Sequence, residues 1–162
     1  MSISTGKKAE QKLKQWLDRP EDGYCLDRIK DQMTGQNGSR NICDFTLFKS
    51  PDFYYIESKE TEDDRFDFDN ITGYKMPEDP TYQYGGLLSK SKIDHVYGVI
   101  VLLFTTYQRA FIIDINEIDR LTKQGQKSIN IKKIDKWGIR YKEIETIPSR
   151  KVMLDYKGEF SL

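Results

Sequence analysis

Apolar residues recur along the chain in two rhythms. Ala9, Leu13, Trp16 and Leu17 fall at i, i+4, i+7 and i+8, the single stripe of an amphipathic helix that Ser4 and Thr5 can cap and Arg19-Pro20 ends. Residues 24–29 then read as a short strand, and 34–40 as a polar loop containing glycine. Two further strand-like runs, 42–49 and 53–59, flank Ser50-Pro51. The acidic stretch 60–80 carries two prolines and reads as a loop, and 81–94 as a helix weakened by Gly85-Gly86. Residues 96–105 form an almost unbroken apolar run, as expected of a strand covered on both faces. A strand at 110–115 follows, then a helix with Asn116 as N-cap and Gly125 as C′. Ile129, Ile131, Ile134, Trp137, Ile139 and Val152 mark short strands in the tail. Helix, strands, helix and strands in that order predict an α/β or α+β fold with a mixed central sheet.

Composition narrows the picture. At 162 residues the chain reads as one domain, residues 1–162. Ten Tyr, eight Phe and two Trp with zero net charge argue against wholesale disorder. The longest apolar run is far short of the ~20 residues that span a bilayer, and no secretory signal pattern opens the chain, so a cytoplasmic protein is expected. Cys25 and Cys43 are too few for a disulfide or zinc framework and read as buried free thiols. The zero net charge hides an asymmetry. Residues 1–81 hold 12 Lys/Arg against 17 Asp/Glu, and residues 82–162 hold 14 against 9. The acidity peaks over 60–69 and the basic excess over 123–157. An acidic centre beside a basic flank suits a metal site that handles a polyanion, although unequal solvated faces would look the same.

The chemistry-bearing segment is Asn41-Ile42-Cys43-Asp44-Phe45 followed by Tyr55-Ile56-Glu57-Ser58-Lys59. If the two runs form a hairpin turning at Ser50-Pro51, opposed residues have numbers summing to 101, which sets Asp44 opposite Glu57. Opposed side chains have Cβ atoms about 4.5–5.5 Å apart. Alternation adds Lys59 to that face and sends Phe45, Leu47, Tyr54 and Ile56 to the other. Two facing carboxylates repel unless something compensates, and Mg²⁺ does so with hard oxygen ligands and retained waters. Such an ion with a lysine beside it fits phosphodiester hydrolysis. The plainer alternative is a surface salt-bridge ladder. The literal motif Pro51-Asp52 is set aside, because five residues leave too little chain for Asp52 to turn and face Glu57.

These stretches resemble the PD-(D/E)xK nuclease superfamily, and within it the phage and RecU-type Holliday-junction resolvases. The likeness runs over about 4–135, with the basic extension at about 123–162. It rests on Gly6-Lys7-Lys8-Ala9-Glu10, Arg28 to Asp31, 41–45, Ile56-Glu57-Ser58-Lys59-Glu60-Thr61, and Gln83 ahead of Leu87-Leu88. The resemblance implies an αβββαβ core of the restriction-endonuclease-like kind. It implies Asp44, Glu57 and Ser58 as metal ligands, Lys59 as the catalytic lysine, Glu10 as the helix acid completing the metal site, and Gln83 near the scissile phosphate. Cys43 stands where the motif name has proline, and Ile42 where RecU-type proteins tend to have threonine. Only about 32–40 is available for the long stalk of those proteins.

The expectation is a Mg²⁺-dependent DNA endonuclease, with Mn²⁺ as substitute, acting as a homodimer with branched DNA the first substrate to test. The rivals are a nuclease for linear or flapped DNA, which the short stalk favours, and a DNA-binding module without metal. Arg28, Lys132, Lys133, Lys136 and Arg140 are the candidate phosphate contacts, with a solvated face as the alternative. Tyr82, Tyr84 and Trp137 suit base stacking or a core, and His95 reads as structural or surface.

Overall fold

The sheet is organised around its most apolar strand. In the computed structural model, which describes residues 5–30, 41–147 and 155–162, that strand is β5, Val96–Phe104. Its side chains alternate between two cores. Ile100, Leu102 and Phe104 enter one, and Val99, Val101 and Leu103 the other, so no polar position is tolerated past Gly98. The neighbours follow in order: β1 (Cys25–Arg28), β2 (Phe45–Lys49), β3 (Asp52–Thr61), β5, β6 (Arg109–Asp114) and β8 (Lys142–Glu143). Among the described residues, only β3 and β5 of this sheet run parallel. The connection between them carries β4 (Arg65–Asp67) and helix α2 (Gln83–Lys90).

Helix α1 (Thr5–Leu17) packs its predicted stripe against one sheet face: Ala9, Leu13, Trp16 and Leu17 are buried with Phe45, Leu47, Tyr54 and Ile56. Full burial of an aliphatic side chain such as Leu13 or Leu17 contributes about 1.5–3 kcal/mol. Pro20 opens a 3-10 turn, Pro20–Asp22, that ends the helix segment as expected. Helices α2 and α3 (Ile115–Lys123) cover the opposite face. The series α1, β1, β2, β3, α2, β5 is the αβββαβ order of a restriction-endonuclease-like fold, a mixed six-stranded sheet flanked by helices.

The glycine pair in α2 has a packing reason. A Cβ on Gly86 would lie 2.4 Å from Ile42 Cγ2, and one on Gly85 would lie 2.1 Å from the Asp79 carbonyl oxygen. The helix therefore seats directly on the residue two before Asp44. A larger side chain there would push Gln83, at the helix start, away from the sheet.

Several expectations need correction. The stretch 60–80 is not all loop: β3 continues to Thr61, and β4 pairs antiparallel with β7 (Ser128–Asn130), burying Phe66, Phe68 and Ile71. The N-cap of α3 is Asp114, whose Oδ1 accepts the Asn116 N–H at 2.8 Å; Gly125 does take the left-handed conformation, at φ +86°. Cys25 is exposed, because its register partner Phe48 lies on an uncovered part of the sheet, whereas Cys43 is buried. In the tail, β9 (Glu145–Ile147) pairs with β10 (Asp155–Lys157), Ile129, Ile131, Ile134 and Ile139 are core, and Trp137 is exposed. Ser4, Val152 and residues 32–40 lie outside the described residues.

Candidate active site

The hairpin closes in the predicted register. Phe45 pairs with Ile56 and Leu47 with Tyr54, pairs summing to 101. Asp44 lies just past the last pair of that ladder: its N–H donates to the Ile56 carbonyl at 2.9 Å, and its own carbonyl accepts the Ile29 N–H at 2.8 Å. Backbone bonds on both sides thus hold the residue that carries the first carboxylate. Its Oδ2 accepts the Ser58 N–H at 2.8 Å.

Glu57, the residue after the last hairpin pair on the facing strand, is only 4% exposed. Its Oε1 accepts Gln83 Nε2 at 2.8 Å and lies 3.3 Å from Lys59 Nζ. Lys59 Nζ also donates to Gln83 Oε1 at 3.1 Å, and the same oxygen accepts the Thr72 N–H at 3.2 Å. Gln83 therefore ties α2 and the preceding loop to the acid and the lysine at once.

Electrostatics mark the pair as under-compensated. Burial pushes the Glu57 carboxyl up to about 8, with Asp44 adding to the rise and Lys59 opposing it. Burial also raises Asp44, held back by the Ser58 N–H and pushed further by the charge of Glu10. The nearby Cys43 thiol is pushed up to about 12 by burial and then by Glu57 and Asp44. Glu57 Oε2 is buried without a hydrogen-bond partner. A buried acceptor left unsatisfied costs about 1–3 kcal/mol, and more when charged. With both carboxyls ionised, one ammonium would leave negative charge in excess, which is why burial favours the protonated form of Glu57. A hard dication with an incomplete protein cage fits that donor set, since Mg²⁺ takes one or two carboxylates and keeps its waters. No group of three or more His, Cys, Asp or Glu side chains forms a metal cage among the described residues.

The other sequence candidates are placed as follows. Glu10 Oε2 is engaged by Arg28 Nη2 at 2.5 Å, so the helix acid and the candidate phosphate contact hold each other. Ser58 serves through its N–H, and alternation along β3 turns its side chain away from the face of Glu57 and Lys59. Asp52, the set-aside literal match, opens β3 and sits 3.0 Å from His95 Nδ1, which is a surface histidine. Lys132 pairs with Asp64 at 3.3 Å, Lys133 lies 5.2 Å from the Trp137 ring, Arg140 Nε is 3.5 Å from Glu117, and Lys136 is exposed. Tyr84 is buried and bonds Asp119 at 3.2 Å, a core role, while Tyr82 is half-buried.

One contributor carried no sequence signal, and another was expected from resemblance alone. Thr72 acts only through its backbone, within a stretch read as loop. Gln83 was indicated by resemblance alone, since by spacing it reads as an exposed helix residue.

No protein-family model and no curated protein sequence matches the chain. Among solved structures it is similar to that of Archaeoglobus fulgidus Hjc, a Holliday junction resolvase from an archaeal hyperthermophile, at 12% identity and a TM-score of 0.49, covering 77% of this chain and 88% of that one.

Proposed function

We propose that the chain is a Mg²⁺-dependent DNA endonuclease of the PD-(D/E)xK kind, resolvase-like and acting in recombination, with Mn²⁺ able to substitute. The supporting observation is the convergence of Asp44, Lys59 and Gln83 on Glu57, whose other carboxylate oxygen is buried and unsatisfied. Asp44 and Glu57 would hold the ion, with Glu10 as a further negative charge beside them. When bound, the dication supplies Lewis acidity, polarising a phosphoryl oxygen and lowering the pKa of water.

The chain's own residues do the positioning. Lys59 donates to both Gln83 and Glu57, so it is arranged as a cation that offsets the charge gathering on phosphate rather than as a free base. Gln83 fixes the direction of that ammonium. Cutting two strands symmetrically needs two sites, which makes a two-fold homodimer the working assembly.

The test is a digestion panel of four-way junction, flap and plain duplex with Mg²⁺ or Mn²⁺. Asp44→Ala and Glu57→Ala should each lower cleavage at least about a thousandfold while DNA binding persists, an effect the size of losing a principal electrostatic stabiliser. Lys59→Ala should slow cleavage about a hundredfold with little change in Mg²⁺ affinity. Variants that cut like the parent would end the proposal.

A further inference from the structure

Among the described residues, the sheet face that carries Asp44 and Glu57 is only half covered. Helices α2 and α3 bury it over β5 and β6, through Ile100, Leu102, Phe111 and Ile113. Over β1 and β2 it lies open: Cys25 and Asp27 are exposed, and Phe48 is 44% exposed. Register places Phe48 opposite Phe53 and Thr46 opposite Tyr55. Phe48, Phe53 and Tyr55 therefore share the face of Glu57, starting two residues from it. Same-face residues along a strand are roughly 7 Å apart, so the rings cover about 13 Å of sheet leading away from the acid pair. The Phe53 and Tyr55 rings meet at 5.1 Å and 62°, and Lys90 Nζ from α2 stands 5.7 Å from the Tyr55 ring.

We propose that this aromatic face stacks the unpaired bases of the DNA strand whose phosphate reaches Asp44 and Glu57. The inference rests on the nuclease reading and narrows its substrate to DNA with splayed or single-stranded nucleotides next to the cut. Phe rings offer no hydrogen-bond donors, so they read π-faces and not sequence, and paired bases inside a duplex do not present those faces. Charge sets which way the strand lies: the Lys90 ammonium flanks one side of the rings and the exposed Asp27 carboxylate the other, so phosphates run on the Lys90 side. A second copy of the chain is the weaker occupant. An aromatic side chain totals about 150–250 Å², so Phe48 with its two half-buried neighbours exposes far less than the ~800 Å² per partner of a stable interface.

The test is binding in chelator, where nothing is cut. Phe48→Ala should weaken binding of a fluorescent single-stranded oligonucleotide about tenfold, Phe48→Trp should restore it, and blunt-duplex affinity should not move. The oligonucleotide should also slow alkylation of Cys25, which sits opposite Phe48, while buried Cys43 stays silent. An unchanged single-strand affinity, an equal loss for duplex, an unprotected Cys25, or a change of mass in sedimentation on Phe48→Ala would each overturn the proposal. The two readings separate cleanly. Cleavage with Phe48-independent binding sinks the stacking face alone. Phe48-dependent binding by a parent that cuts no DNA sinks the nuclease reading and leaves the face standing.

Discussion

Glu57 and Glu117 are almost equally buried, at 4% and 5% exposure, and their surroundings treat their charge in opposite ways. For Glu117, burial alone would raise the carboxyl. Hydrogen bonds from Arg120, the Arg140 N–H at 3.0 Å and both guanidinium charges outweigh it and hold the group below the usual glutamate range. Each Glu117 oxygen receives a donor: Arg120 Nη2 and the Arg140 N–H reach Oε1, and Arg120 Nε reaches Oε2 at 2.9 Å. Glu57 has one ammonium and one amide on Oε1, no donor on Oε2 and the acidic Asp44 beside it, and burial first and then Asp44 raise its carboxyl to about 8. A carboxylate answered inside the chain is a clamp. One left short of positive charge is where the proposed cation would sit, and although the two are equally screened from solvent, Glu57 lies deeper than Glu117, so depth and neighbours together set the difference.

The largest expected effect tests that asymmetry directly. Saturating Mg²⁺ at about a hundred times its dissociation constant should stabilise the parent by about 2.7 kcal/mol, a Tm rise of about 5–10 °C. Glu57→Gln should erase most of that rise, whereas Glu117→Gln should keep it. In chelator, Glu57→Gln should unfold no lower than the parent, because the amide removes one of two buried carboxyls that share a single ammonium. Equal Mg²⁺ shifts in both variants, read by thermal unfolding, would dissolve the comparison.

Next in size is the clamp itself. Removing one partner of a buried ion pair costs about 3–5 kcal/mol when the other charge is stranded. Here the Arg120 side chain is 30% exposed and that of Arg140 77%, so both rehydrate. Glu117→Gln should therefore cost only about 1–2 kcal/mol, a Tm loss of a few degrees. The loss should come with easier proteolysis over 131–140, since Arg140 and the Arg120 bond to the Gly138 carbonyl at 3.2 Å join that segment to α3. A variant as stable and as protease-resistant as the parent would mean that the segment is held by its isoleucines alone.

The same contrast explains what was legible in the sequence. The acid pair sits at the end of a hairpin with a short turn, where period-2 alternation and one register sum place Asp44 and Glu57 together just past its last pair, Phe45 with Ile56. The Glu117 site depends on Arg140, twenty-three residues away on an irregular segment, and on a backbone N–H that no side-chain pattern reports. By spacing, Glu117 and Arg120 look like an ordinary exposed i, i+3 pair. The β4–β7 pairing was hidden in the same way: Arg65 meets Asn130 across the fold, and the acidic composition around Phe66 and Phe68 argued for loop. It also puts Asp64 against Lys132, so part of the charge asymmetry is neutralised internally, away from the acid pair. Cys25 was misplaced because alternation shows which face a residue takes but not whether a helix covers it.

The smallest expected effect is the pH dependence of the clamp, and its sign follows from the direction of the shift. A glutamate held below its unfolded value of about 4.3 favours folding above that pH. That contribution fades as pH falls through the lower, folded value, because the native carboxylate must then take up a proton and release its arginines. Glu117→Gln lacks this protonation step. The Tm gap between parent and Glu117→Gln should accordingly be widest near neutrality and narrow between about pH 5 and 3, giving the variant the shallower acid limb. A gap that stays constant across that range would show that the Glu117 charge adds nothing to the clamp, leaving shape and hydrogen-bond count as its whole basis.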